Sequence, residues 1–280
     1  MNNKKTNFAF WGTPEVSSKT LQILKKAGYL PTVIITSPDR PAGRGLHITS
    51  SPVFLWAEEN NIPCLKPEKL DDKFIKEFNE FKIDFSIVVA YGKILSQELI
   101  DKPKLGTINI HYSLLPKWRG ASPLEASLLA GDKITGISIQ QMQLRLDSGP
   151  ILSQKKVKID INETKDNLRE RLITLGAETL IEILPDFINQ KINPEIQNEE
   201  QATYCKKIKK ADGLLDLKDN GLKNYNKYRA FSGWPETYFF KNGKRIKIKK
   251  TKYENNSFVI ERIVPEGKKE IDYTDFLRNN

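Results

Sequence analysis

Apolar residues along this chain fall into two alternating patterns, short nearly continuous runs and longer stripes spaced three or four residues apart. The first pattern is that of buried strands and the second that of helices with one face on a core. Phe8-Ala9-Phe10-Trp11 predicts a strand ended by the turn Gly12-Thr13-Pro14, and Val16, Leu21, Ile23, Leu24 and Ala27 predict a helix that stops near Gly28. Val33-Ile34-Ile35 reads as a second buried strand. The stretch 37–45, Ser37-Pro38-Asp39-Arg40-Pro41-Ala42-Gly43-Arg44-Gly45, is too rich in proline and glycine for an element interior and is expected to be a loop. Phe54, Leu55 and Ala57 predict a short helix, 62–65 a strand, and Phe74, Ile75, Phe78 and Phe81 another helix. Residues 85–90 form an almost unbroken apolar run, as expected at the centre of a sheet covered on both faces.

Strands are expected at 105–110, 135–142 and 151–157, with a short helix at 123–130 entered through Pro123. Leu168, Leu172, Leu175, Leu180, Ile183 and Leu184 line a long helix. Strands that exchange with helices at this spacing indicate an α/β domain with a largely parallel sheet, placed at 1–188. The polar stretch 189–204, which contains Pro194, reads as a linker. Beyond it, Tyr238-Phe239-Phe240, Ile246-Lys247-Ile248 and Phe258-Val259-Ile260, separated by turns such as Asn242-Gly243, predict a small β domain at 205–280 whose outer faces carry lysine.

Charge sharpens this division. The net charge of +10 lies almost wholly in residues 205–280, which hold 19 lysines and arginines against 10 aspartates and glutamates. Solubility or a bias towards lysine and asparagine codons explains such an excess; so does a polyanion-binding appendage on a roughly neutral catalytic domain. Cys64 and Cys205 are the only cysteines, too few for a disulfide framework or a metal cluster, and a reducing cytoplasm is the expected compartment. No run of 18 apolar residues occurs, so neither secretion nor membrane insertion is expected.

The densest chemistry follows the strand at 105–110, where Asn109-Ile110-His111 leads into Ser113-Leu114-Leu115-Pro116-Lys117-Trp118-Arg119-Gly120. His111 and His47 are the only histidines, so an imidazole acid–base step must use one of them. Two residues apart on a strand, Asn109 and His111 share a face, and the Asn109 amide suits an oxyanion developing on a carbonyl. Asp147, in Leu146-Asp147-Ser148-Gly149, suits the orientation of an imidazole. A half-buried histidine bonded to backbone beside turn-forming residues explains the same composition, and spacing alone does not bring Asp147 to His111. Trp118 and Arg119 are candidates for stacking on a substrate or for pinning the loop, while Phe231-Ser232-Gly233-Trp234-Pro235 reads better as a structural turn. No Gly-x-Gly-x-x-Gly fingerprint or phosphate loop is present, and the histidine spacing does not fit a zinc enzyme, so no metal is expected. Arg40 and Arg44, in the breaker-rich loop, are of the type that meets phosphates.

These residues resemble the folate-dependent formyltransferases, the methionyl-tRNA formyltransferase group in particular. The resemblance is carried by 109–121, by Gly131-Asp132-Lys133-Ile134-Thr135-Gly136, by Met142 and Leu146-Asp147-Ser148-Gly149, and it extends from Phe8 through Asp39-Arg40-Pro41-Ala42-Gly43-Arg44-Gly45 to Ala230-Phe231-Ser232-Gly233-Trp234-Pro235. It implies a Rossmann-like formyl-transfer domain joined to a small OB-like β domain, here reduced, with 10-formyltetrahydrofolate as co-substrate and initiator methionyl-tRNA as acceptor. By resemblance Asn109, His111 and Asp147 are the catalytic trio. Phe85, Val88, Ala90, Tyr91, Gly92, Ser113, Leu114, Leu115, Pro116 and Leu144 are the expected folate-binding residues. Arg40, Arg44, Lys206, Lys207, Lys209, Lys247 and Lys249 are expected to meet tRNA, and a monomer is expected.

The chain departs from the pattern at Tyr112, where a small residue or proline is commoner, and at Leu144-Arg145; its tail beyond Trp234 is also short. Two other functions remain open on these residues. One is N-formylation of a nucleotide-linked amino sugar, which needs no basic appendage. The other is noncatalytic RNA binding, which leaves Asn109, His111 and Asp147 without a joint purpose.

Overall fold

The computed structural model describes residues 6–42, 45 and 47–278. The chain divides into two compact units that interleave in sequence. The first comprises the chain up to Lys117, Gly136–Lys155 and Leu172–Ala202; the second comprises Trp118–Thr135, Lys156–Arg171 and the chain from Thr203 onward.

In chain order the elements open with β1 (Phe8–Gly12), α1 (Glu15–Lys26), β2 (Val33–Ile35), β3 (Arg40–Ala42), β4 (His47–Thr49), α2 (Pro52–Glu59) and β5 (Cys64–Leu65). They continue with α3 (Asp72–Asn79), β6 (Phe85–Val89), α4 (Gln97–Asp101), β7 (Thr107–His111), β8 (Arg119–Gly120), α5 (Pro123–Leu129), β9 (Ile134–Gln141), β10 (Ile151–Lys158) and α6 (Lys165–Ile188). The sheet of the first unit has the order β10-β9-β7-β6-β1-β2-β5. Its ladder from β5 to β7 is parallel, and β9 joins β7 antiparallel. β1 and β6 are buried at all five positions, as strands at the centre of a covered sheet require. Trp11, Val88, Tyr91, Leu95 and Leu99 pack with Phe74 and Phe78 of α3 on one face. On the other, Phe85 stacks on Phe8 and meets Phe187 of α6 edge to face.

The structure differs from the sequence pattern at two places. The stretch 37–45 contains a strand, because β3 pairs antiparallel with β4 and places Pro41 opposite Ile48. Proline's fixed φ suits an extended chain, and in a two-stranded ribbon every strand is an edge, where a missing N–H is tolerated. Arg44 lies outside the described residues. The strand expected at 105–110 instead spans Thr107–His111, since a turn closes at Gly106, whose N–H bonds the Pro103 carbonyl at 2.7 Å. His111 is therefore the last residue of a strand, and the pleat sets its direction. α4 carries no stripe long enough to be read; Ser96 caps it by accepting from the Leu99 N–H at 3.3 Å.

The second unit continues with β11 (Tyr204–Cys205), α7 (Gly221–Ala230), β12 (Thr237–Lys241), β13 (Lys244–Glu254), β14 (Ser257–Pro265), β15 (Ile271–Asp272) and α8 (Tyr273–Arg278). β12 to β15 form an antiparallel meander in sequence order, and no pairing closes β12 onto β15 among the described residues. Its core is Leu215, Phe239, Ile246, Ile248, Ile260, Ile263 and Phe276. Asn242 (φ 51°) and Gly243 (φ 74°) make the tight turn between β12 and β13, the left-handed pair whose twist matches a hairpin. β8 pairs with β11, and Arg119, fully buried, points its guanidinium at the Tyr204 hydroxyl, 3.4 Å away. Trp118 donates from its indole to Asp132 at 2.9 Å.

Candidate active site

On β7, Asn109 stands opposite Val88 of β6 and Gln140 of β9, and His111 stands opposite Ser138. Residues paired across a ladder share a face, so Val88, Asn109, Gln140, His111 and Ser138 lie on one side of the sheet. Asp147 comes to this side on the loop after β9. Its Oδ2 lies 3.6 Å from Nδ1 of His111, with both side chains largely buried at 11% and 6% exposure. The other carboxylate oxygen accepts from the Gln140 amide at 2.9 Å. Asp147 is held in the left-handed region, at φ 49°. Gly149 follows at a close approach: a Cβ there would sit 1.7 Å from the Gln141 carbonyl oxygen. Gln197 donates to the carbonyls of Asp147 and Gly149 at 2.9 and 2.7 Å.

A second set of bonds shapes the loop after His111. The Ser138 hydroxyl donates to the Ser113 carbonyl at 2.7 Å and accepts from the Leu115 N–H at 2.9 Å. Gln154 donates to the Leu115 carbonyl and to the Ser138 hydroxyl, each at 2.8 Å, and Ser113 donates to the Lys117 carbonyl at 2.5 Å. The loop is thereby tied to β9 and β10 beside the histidine, and its Leu115–Pro116 peptide is cis. The His111 imidazole and the Asp147 carboxylate thus meet on a fixed wall, with Asn109 on the same face of the sheet.

The remaining expected residues divide. Val88 shares the face of Asn109, and Tyr91 packs in the same cluster as Val88 and Met142. Ala90 and Gly92, at φ 49° and 84°, turn the chain at the end of β6. Leu114 and Pro116 are half-buried, Leu115 is buried, and Leu144 is 60% exposed. Phe85 instead lies across the sheet, its ring enclosed by Phe8 and Phe187. Tyr112 also points away from His111, towards α6, where a Cβ on Gly176 would come 3.7 Å from its ring. Arg40, Lys206, Lys207, Lys209 and Lys249 are exposed and Lys247 half-buried; Lys247 and Lys249 both bind the Glu236 carboxylate, the latter at 2.6 Å. His47 is exposed on β4. Burial pushes the Cys64 thiol up to about 12, against the pull of Lys66, and leaves it a poor nucleophile.

Gln140, Gln197, Ser138 and Gln154 were not foreseen. Their roles depend on the register of β9 against β7 and on a distant segment, and neither leaves a local signature. A cavity of about 490 Å³ opens near the start of β7, between Lys104, Gly106, Gln141, Phe187 and Pro194, and none of the expected site residues lines it. Among the described residues no group of three or more histidine, cysteine, aspartate or glutamate side chains is placed to hold a metal.

Residues 5–184 match the model of the formyl transferase family, and residues 207–259 match that of the formyl transferase C-terminal domain. The chain is 41% identical over 227 residues to the methionyl-tRNA formyltransferase of Methylococcus capsulatus, covering 81% of this chain and 74% of that one. It is 42% identical over 240 residues to the methionyl-tRNA formyltransferase of Thermotoga neapolitana, covering 85% and 77%. Among solved structures, an N-formyltransferase from Helicobacter canadensis in complex with folinic acid and dTDP-3-aminofucose matches with a TM-score of 0.66 at 18% identity, over 95% of this chain and 98% of that one. Methionyl-tRNA formyltransferase from Clostridium thermocellum matches at 0.62 and 15% identity, over 95% and 99%. The two solved structures agree in fold. The family models and the close relatives together show that this chain belongs to the formyl transferase family.

Proposed function

We propose that this protein transfers the formyl group of 10-formyltetrahydrofolate to the α-amine of methionine esterified to initiator tRNA. The observation that carries the reading is Nδ1 of His111 3.6 Å from the Asp147 carboxylate, with Asn109 on the same face of the sheet, in a chain 41% and 42% identical to two methionyl-tRNA formyltransferases. The folate, when bound, supplies a formyl group on nitrogen. Asn109 donates from its amide to the formyl oxygen as negative charge develops there under attack by the amine. His111 takes the proton of the attacking amine and delivers it towards the departing nitrogen. Asp147 orients the imidazole and offsets its positive charge while the proton is held.

The residues present fit a folate-type group. The hydroxyl of Tyr91 is buried without a hydrogen-bond partner, and burial raises its pKa, so it stays a neutral donor. The turn at Ala90 and Gly92 follows directly from the strand that holds Val88, and Leu144 and Leu146 leave apolar surface exposed on the Asp147 loop. Phe85 would support this wall only through the core behind it. The meander β12–β15, read as a reduced OB-like domain, and the exposed Arg40, Lys206, Lys207 and Lys209 are assigned to tRNA phosphates. The domain reading of 1–188 and 205–280 and a monomeric state go with this proposal.

The test offers two acceptors to the enzyme with 10-formyltetrahydrofolate, initiator tRNA charged with methionine and a nucleotide-linked amino sugar. Formylation of the aminoacyl-tRNA is expected at a kcat/KM at least about 100-fold higher, equivalent to about 2.7 kcal/mol of differential transition-state binding. Preference for the sugar overturns the assignment.

A further inference from the structure

Resting on that reading of the site, we propose that residues 195–199 form a strap that positions Asp147, with Gln197 as its positioning residue. The strap lies along the loop 145–151 in reverse order. Glu195 exchanges two backbone hydrogen bonds with Ile151, at 2.7 and 2.8 Å. Gln197 reaches the carbonyls of Gly149 and Asp147 at 2.7 and 2.9 Å. The Glu199 carboxylate takes the Arg145 guanidinium at 2.9 Å. Every second residue therefore fastens a successive point of the loop, and the central one, Gln197, holds Gly149 and Asp147 together.

The chemistry of Gln197 suits this task. It is 5% exposed and Gln140 is 1% exposed, so both amides are withdrawn from water and need partners in the protein. The Gln197 amide nitrogen has two hydrogens and faces three acceptors, the third being the Gln140 side-chain oxygen at 3.4 Å. That contact turns the amide nitrogen of Gln140 towards Asp147, whose Oδ1 it meets at 2.9 Å, and leaves Oδ2 for His111. Gln197 thus acts twice on one carboxylate, once through the backbone of a residue in the left-handed region and once through Gln140. Residues 143–146 of the loop are exposed, so the strap meets it at its buried end, where Asp147 and Gly149 lie. Gln197 touches no reacting atom, and its effect runs through Asp147.

The experiment compares Gln197→Glu, Gln197→Leu and Asp147→Asn with wild type in the full chain, with turnover normalised to folded protein by circular dichroism. Gln197→Glu keeps the shape and, when ionised, loses both donors; Gln197→Leu loses them without adding a charge. Each is expected to lower kcat by about 10- to 100-fold, as for a lost buried hydrogen bond, while KM for folate and for charged tRNA stays within about 2-fold. A protonated glutamic acid donates one hydrogen and its ionised form none. The kcat of Gln197→Glu relative to wild type is therefore expected to rise as the pH is lowered from about 8 to about 6, a trend absent from Gln197→Leu. Wild-type kcat in both Gln197 variants, beside a crippled Asp147→Asn, overturns the strap and leaves the catalytic reading standing. Wild-type turnover in Asp147→Asn overturns the catalytic reading itself.

Discussion

Asp147 is reached by a loop that must pass β9 with almost no clearance, and Gly149 is what allows it. A methyl at this position meets the backbone oxygen of Gln141 at 1.7 Å, a neighbour that cannot rotate away. Gly149→Ala is therefore expected to destabilise the protein by about 3 kcal/mol and to lower kcat as the carboxylate shifts from His111. Urea unfolding and steady-state rates read the two effects, and unchanged values in both would refute the close approach. At this scale the sequence was legible where chemistry follows local periodicity. Asn109 and His111 share a face because a strand alternates every two residues. The approach of Asp147 to His111 came from resemblance alone, since it depends on the course of a nine-residue loop that carries no periodicity. Gln140, beside Gln141 at the end of a strand, and Gln197, in a polar stretch, escaped notice because a glutamine looks like any solvated side chain until the register places it.

The elements of the first unit were largely readable because buried strands and one-sided helices leave strong apolar patterns. Pro41 misled, since two-stranded ribbons tolerate residues that sheet interiors do not. In the meander, the alternation that puts Ile246 and Ile248 in the core sends Lys247 and Lys249 to the opposite face, as their sequence indicates. Their shared partner Glu236 was not visible beforehand, because it lies before β12 and reaches them across a hairpin. Burial pushes the Glu236 carboxyl up, but hydrogen bonds and charge from Lys247 and Lys249 outweigh this and hold it below the ordinary carboxylate range. With the folded value depressed, the clasp stabilises the protein above the ordinary value of 4.5 and loses that contribution as the pH falls through the lower folded value. Glu236→Gln is expected to flatten this acid loss in a pH series of melting curves. The same variant frees both lysines and is expected to tighten tRNA binding at low salt; unaltered acid stability and affinity would show that the clasp is idle.

For the molecule as a whole, the decisive asymmetry is charge. Residues 205–280 hold an excess of 9 positive charges out of the net +10, a distribution suited to a polyanion and of no evident use to a small-sugar enzyme. If about five phosphates are neutralised, log K for tRNA is expected to fall against log salt with a slope of about −4.5, and a slope near zero would contradict an electrostatic grip. The role given to His111 is tested by single-turnover formylation of methionyl initiator tRNA by wild type and by His111→Ala, with saturating 10-formyltetrahydrofolate. Wild type is expected to formylate the amine. His111→Ala is expected to be slower by about 100-fold or more, at unchanged tRNA affinity. Equal rates in the two proteins would show that His111 does not carry the proton transfer.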